Sequence, residues 1–374
     1  MFVIAALLFL SLCSYIFLGL LLRGNIASVP RTTSNWQPYV SVIIAARNEE
    51  KYLANCLASL QNLDYPLKKL EIVVVNDAST DQTADIIARF SNRLKHLKTV
   101  MLKQGEKEKP AKAGALLAGI DESQGEILIF TDADCRVPAT WIRDLLAGFR
   151  DNVGIVGGYT LLFPSCKNLF ERLQALDWHY LLSIAGAASQ LNKPITWVGN
   201  NMAVRRSAYE QVGGYRAIRD SLVEDFALID AIEKQTEWQC RFYASPYSIV
   251  RTHPATSWRR LYEQRKRWSL GIVGARPFGW WIMTSGFLLH FFILLSFVFC
   301  PAVALVSLSI KTTIDLLIFK QSSTILNKPI KMRFIFLFEL YYIFSSIVLP
   351  IFMLFDRRIH WKGTELKRSS RVFG

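Results

Sequence analysis

The chain has 374 residues, of which 51% are apolar, and a formal net charge of +14. The apolar residues gather in long charge-free runs at the two ends, which excludes a wholly soluble chain and points to one α/β domain with membrane segments. A basic balance beside such runs suits anionic lipid or phosphate, so nucleic acid is not the expected partner.

Residues 2–22 carry no charge and are long enough to cross a bilayer. They lack the basic leader and small-residue cleavage site of a secretory signal, so residues 1–35 read as an uncleaved anchor. Arg23 and Arg31 follow with no acid before residue 49, which puts the middle of the chain in the cytosol.

From residue 36 to 275 short apolar runs alternate with helical periodicity, the pattern of βα units around a largely parallel sheet. VSVIIAA (40–46) is strand-like, and Asn48 after it is positioned to cap a helix with the stripe Leu53, Cys56, Leu57 and Leu60. EIVVVNDAST (71–80) is a second buried strand, with Ser79 and Gln82 in capping-box spacing before the next helix. KAGALLAGI (112–120) reads as a helix, ILIF (127–130) as a third strand, and ATWIRDLLAGF (139–149) as another helix.

Three successive strands thus end in polar or acidic residues: Asn48 and Glu49, then Asn76 and Asp77, then Asp132 and Asp134. Ligands of open α/β sheets bind outside the carboxyl ends of the strands, so these ends are expected to line one crevice. In extended backbone, residues two apart point the same way about 7 Å apart, which lets Asp132 and Asp134 converge on one Mg²⁺ or Mn²⁺. A lone D-x-D is also a common turn; the series of acidic strand ends favours a site.

Further along, Asn200 and Asn201 fit either a ligand contact or a turn, and His253 fits a structural role better than a metal ligand. In RRLYEQRKRW (259–268), Gln264, Arg267 and Trp268 stand at i, i+3 and i+4, one helix face. Arg259, Arg260, Arg265 and Lys266 are expected to meet lipid on the outer side of this amphipathic helix.

In the region 276–374, the run 280–310 contains Pro301 and exceeds one straight crossing, so a tilted or broken span is expected. A second span is expected over 334–355, interrupted only by Glu339, which is expensive there unless partnered. A weaker stretch at 312–326 reads as re-entrant or interfacial. The six cysteines show no paired spacing, which suits reduced thiols.

In order, VSVIIAARNEEKYLANCLASL, IVVVNDASTDQT, KAGALLAGI, ILIFTDADC, VEDFAL and QRKRW resemble the family 2 glycosyltransferases of GT-A fold over about residues 38–270. More narrowly they are similar to the membrane-bound branch with cellulose, chitin, hyaluronan and poly-N-acetylglucosamine synthases and ceramide glucosyltransferase. The resemblance implies a Rossmann-like, mixed but largely parallel sheet flanked by helices, with transmembrane helices at both ends. It assigns Asp77 and Glu49 to the nucleotide, Lys112 to the donor diphosphate, and Asp132 and Asp134 to the divalent metal, with Asp134 the direct ligand. Asp225 matches the general base of the family's acidic motif, although Val223 stands where processive synthases often carry Thr. Gln264, Arg267 and Trp268 match its (Q/R)xxRW motif.

The implied function is inverting, Mg²⁺- or Mn²⁺-dependent transfer of a sugar from a cytosolic, UDP-linked nucleotide sugar to a lipid or glycan acceptor at the cell membrane. A single transfer to lipid is the leading expectation. A processive polysaccharide synthase is the alternative, and a non-catalytic membrane scaffold of the same fold is a third.

Overall fold

The protein is described by a computed structural model covering residues 2–27, 36–164, 168–195, 198–221, 223–271, 277–330, 332–355, 359–361 and 364–366. It divides into two compact units. One comprises residues 28–163 and 196–253, the other residues 1–27, 164–195 and 254–374.

The first unit is built on β1 (Val40–Ala46), β2 (Leu70–Asp77), β3 (Leu97–Leu102), β4 (Ile127–Phe130), β5 (Val153–Gly158), β7 (Met202–Arg205) and β8 (Gln239–Tyr243). A small pair, β6 (Thr160–Leu162) and β9 (Val250–Thr252), lies beside them. The sheet order is β3-β2-β1-β4-β7-β5-β8; β7 runs antiparallel to both neighbours and every other pairing is parallel. β2 and β4 are buried along their whole length, which is why they read as unbroken apolar runs rather than alternating ones.

Helices α2 (Leu53–Leu60), α3 (Thr83–Ser91), α4 (Ala111–Asp121), α5 (Trp141–Leu146), α7 (Arg206–Gln211), α8 (Gly214–Ala217) and α9 (Glu224–Gln235) connect the strands. The α2 stripe of Leu53, Cys56, Leu57 and Leu60 is buried in one core with β1, β2 and β4. In α4, a Cβ on Gly119 would lie 2.8 Å from Ile43 and 2.9 Å from Val75, so only glycine lets this helix sit so close to β1 and β2.

The second unit gathers α1 (Phe2–Asn25), α6 (Leu169–Gln190), α10 (Trp258–Gly271), α11 (Pro277–Phe299), α12 (Pro301–Leu326) and α13 (Ile335–Phe355), with the short hairpin of β10 (Ile359–Trp361) and β11 (Thr364–Leu366). Among the described residues four helices are long and apolar enough to cross a membrane: α1, α11, α12 and the stretch 335–352 of α13. This corrects the expected division of the C-terminal region. The run 280–310 is not one span, because the chain breaks at Cys300 and Pro301 opens α12, where a missing N–H costs nothing. The stretch 312–326 is the second half of α12 rather than a re-entrant piece.

The acid inside α13 is partnered. Glu339 is bonded to Lys311, whose ammonium lies 2.6 Å from Asp315 on the same helix. Asp315 in turn accepts the hydroxyls of Tyr15 on α1 and Tyr180 on α6, each at 2.6 Å. Carboxylates, ammonium and phenols thereby partner one another across five buried side chains, with Glu339 Oε1 alone of the Glu339 oxygens lacking a hydrogen bond.

Candidate active site

The loops after β1 and β2 are laced together backbone to side chain. Asn48, at φ +53°, does not cap α2; its Oδ1 accepts the Thr80 N–H at 2.9 Å, while its own N–H donates to Ser79. The Glu49 N–H donates to Thr83 Oγ1 at 2.8 Å, and Glu50 and Asp81 bond each other's loops. Ser79 and Gln82 therefore do not form a capping box: Asp81 accepts the Thr83 N–H instead, and Ser79 is engaged across the loops. The result ties Glu49, in the loop after β1, to the start of α3, while Asp77 ends the adjacent strand β2.

Asp77 is buried, and Lys107 Nζ reaches its Oδ2 at 2.9 Å with Arg47 at 3.7 Å. Lys107 also donates to the Ala111 carbonyl at the start of α4, so it ties the loop before that helix to the end of β2. The sequence reading missed Lys107 and Arg47, since a basic residue in KQGEKEKP looks like any solvated charge.

β4 stops at Phe130, and the two acids that follow lie in a turn closed by the Cys135 N–H on the Asp132 carbonyl at 3.0 Å. The expected extended geometry is thus replaced by a turn, yet the acids still converge: the ligand atoms of Asp132, Asp134 and Cys135 lie within 4.8 Å of one another. Burial and the charges of Asp134 and Asp132 push the Cys135 thiol well up, so it stays protonated. Two partly exposed carboxylates beside an un-ionised thiol are a hard-oxygen donor set, which fits Mg²⁺ or Mn²⁺. The buried Cys56 thiol is raised by burial, then by Asp134, Asp132 and Glu49.

Lys112, from the second position of α4, lies 2.5 Å from Asp132 and 3.1 Å from Glu224. Burial, the largest influence on this amine, favours its neutral form, but Asp132 and Glu224 outweigh it and hold the ammonium. Glu224 and Asp225 are the first residues of α9, not extended backbone, so adjacent side chains are not forced to opposite faces. Glu224 reaches Lys112, and Asp225 accepts the Gly199 N–H at 2.5 Å. A Cβ on Gly199 would lie 2.7 Å from that of Asp225, a close approach that only glycine allows. Burial and the neighbouring Glu224 raise the Asp225 carboxyl, Lys112 and two backbone N–H groups pull it back, and it settles at about 6.

Other candidates turn out to be structural. Asn201 is buried with its amide donating to the Tyr159 and Ser248 carbonyls and accepting from the Trp141 indole. Asn200 accepts from Thr160. His253 stacks on Tyr52 with ring centroids 4.4 Å apart.

In the second unit, α10 carries Gln264, Arg267 and Trp268. Its basic residues do not all face outward as expected: Arg259 and Arg260 are exposed, whereas Lys266 is fully buried and Arg265 forms an ion pair with Asp177 of α6. Among the described cysteines none is bridged; Cys166 lies outside the described residues.

A D-x-D turn after β4, a lysine of α4 between two acids and a raised carboxyl at the start of α9 thus belong to one unit built on a mixed, largely parallel sheet of GT-A type. Residues 41–213 match the family model "Glycosyl transferase family 2". The chain is 31% identical over 251 residues to "Probable glycosyltransferase YdaM" of Bacillus subtilis, covering 65% of this chain and 58% of that one. To a β-monoglucosyldiacylglycerol synthase of Nostoc sp. it is 28% identical over 237 residues, 63% and 49% of the two chains. The chain thus spans about half the length of the curated relatives it matches. A solved mannosyltransferase from Pyrobaculum calidifontis, in complex with GDP-Man and Mn²⁺, shares the fold with a TM-score of 0.61 at 19% identity, over 95% of this chain and 99% of that one.

Proposed function

We propose that the chain transfers a hexosyl group, with inversion, from a nucleotide sugar to the hydroxyl of a membrane lipid. The observation that carries this reading is the cluster Asp225, Glu224, Lys112 and Asp132. It combines a carboxyl raised to about 6 with an ammonium held between acids at the edge of a carboxylate pair. A base near neutrality is suited to deprotonating an alcohol as it attacks, and a fixed cation is suited to a departing diphosphate.

In this reading the acceptor oxygen attacks C1 of the donor sugar as the bond from C1 to the diphosphate oxygen breaks, and Asp225 receives the hydroxyl proton. Lys112 leaves its ion pair with Asp132 to meet the diphosphate. Asp132 and Asp134 would hold the divalent ion, which when bound neutralises diphosphate charge. Asp77 and Glu49 bind the nucleoside, and Gln264, Arg267 and Trp268 serve the diphosphate and acceptor. The Nostoc relative, a β-monoglucosyldiacylglycerol synthase, supports a lipid acceptor, and the Mn²⁺ of the mannosyltransferase complex supports the metal. Four helices long and apolar enough to span, with Arg23 at the end of the first, support a cytosolic catalytic unit, where a UDP-linked donor would be supplied.

Purified protein in detergent, given Mn²⁺ or Mg²⁺, diacylglycerol and a panel of UDP- and GDP-linked sugars, tests the reading. One labelled sugar per organic-extractable lipid is expected. A polymer retained at the chromatographic origin would replace it with the processive synthase, and no transfer from any donor would refute it.

A further inference from the structure

Helix α10 is held by one face of α6. Gln174, Asp177 and Trp178 stand at i, i+3 and i+4 on that face, and each grips the segment that leads into or forms α10. The Gln174 amide donates to the Ala255 carbonyl at 3.0 Å and accepts the Ala255 N–H at 2.9 Å, a two-bond clasp at the entry to the helix. Asp177, with 4% of its side chain exposed, pairs with Arg265, with 14% exposed, and also accepts the Tyr341 hydroxyl of α13 at 3.3 Å. Trp178 meets the Trp268 ring at 5.1 Å, and the Arg265 guanidinium lies over that same ring at 4.9 Å. One turn earlier, Phe170 packs on Trp258 at 4.4 Å.

Arg265 is thus spent inside this unit, on a carboxylate and an indole, although it sits between two residues expected to serve the substrate. A buried carboxylate–guanidinium pair is directional in a way that apolar packing is not, and losing one partner leaves the other charge buried. The apolar contacts alone would let α10 rotate or slide on α6. The ion pair, made between Arg265 Nη2 and Asp177 Oδ2 and backed by the Tyr341 hydroxyl on the same oxygen, does not.

We propose that Asp177 is a positioning residue: through Arg265 it sets the rotation of α10 on α6, and so the bearing of Gln264, Arg267 and Trp268. This rests on the proposed transferase reading. Asp177 touches no reacting atom; it acts by keeping the helix in register, and errors of about 1 Å in such positioning can cost on the order of 10²-fold in rate.

Full-length protein in detergent carrying Asp177→Asn, Asp177→Glu, Arg265→Asp or the exchanged pair Asp177→Arg/Arg265→Asp tests the assignment. Asp177→Asn is expected to lower kcat at least about tenfold with donor KM changed less than about threefold, because the donor's nucleoside is bound elsewhere. Asp177→Glu should recover part of the loss, and the exchanged pair should exceed Arg265→Asp alone. Hydrogen exchange of the amides of residues 258–269, read independently of activity, should quicken in Asp177→Asn while the amides of β1, β2 and β4 stay slow. Unchanged protection of 258–269 would overturn the proposal whatever the kinetics. So would an exchanged pair that restores protection but not turnover, since Arg265 would then act on the substrate itself. A wild type that transfers no sugar would count against the transferase reading alone, and the exchange measurement would still decide the latch.

Discussion

Replacing Asp225 by Asn separates what the carboxylate does for chemistry from what it does to stability. Its carboxyl is raised from 3.8 to about 6, first by burial and then by Glu224, so above that pH the folded protein carries the charge ~3 kcal/mol less readily than the unfolded chain. The sign follows from linkage: a carboxyl whose folded value is raised contributes nothing unfavourable while both states are protonated. Its cost builds as pH rises from about 4 to about 6 and is level beyond. Asn carries no charge and keeps an oxygen for only one of the Gly199 and Phe226 N–H groups, which bond Oδ2 and Oδ1 of the carboxylate; losing the other bond is a cost that does not change with pH. Thermal unfolding of the first unit should therefore show Asp225→Asn gaining on the wild type as pH rises from about 4 to about 7, by up to ~3 kcal/mol. That corresponds to several degrees for a unit of this size. Turnover should fall about 10²–10⁴-fold, the usual contribution of a general base, and the wild-type kcat/KM should rise with pH through about 6. A Tm difference that does not change with pH would refute the raised carboxyl, and near-normal turnover of Asp225→Asn would refute its role as base.

Three further outcomes follow from the geometry. Gly199→Ala should cut turnover and lower Tm, because its Cβ would meet Asp225 Cβ at 2.7 Å and turn the carboxylate; a normal kcat would show the contact to be dispensable. Chelator should abolish transfer and Mn²⁺ or Mg²⁺ restore it, and Asp134→Asn should be inactive yet folded by circular dichroism; full activity in excess chelator would remove the metal from the reaction. Lys311→Met leaves Asp315 and Glu339 buried without their cation and should cost about 3–5 kcal/mol, read as lost detergent-solubilised, monodisperse protein, with Lys311→Met/Glu339→Gln less affected.

What was legible in the sequence is what local pattern and strand burial determine. The apolar runs of β1, β2 and β4 and the polar residues that end them fix a sheet with one functional edge, and Asp77, Lys112, Asp132, Asp134 and Asp225 were all placed on that unit by spacing and motif. The spans were only partly legible, because hydropathy does not see that Pro301 starts a helix instead of interrupting one, nor that Lys311 and Asp315 neutralise each other inside α12. What escaped the sequence is every relation set by tertiary approach: Lys107 on Asp77, Glu224 on Lys112, Gly199 under Asp225, and Asp177 on Arg265. Each joins residues distant in the chain or rests on a backbone conformation that periodicity cannot report. These relations also have a shared physical consequence. In the first unit the expected diphosphate-binding cation, Lys112, is already paired with Asp132 and Glu224, so in the proposed reading donor binding must exchange those ion pairs for others. An anionic diphosphate competes for Lys112 against Asp132, and a divalent ion taking up that carboxylate is what makes the exchange favourable. Metal and donor are therefore expected to bind with positive coupling, each tighter in the presence of the other.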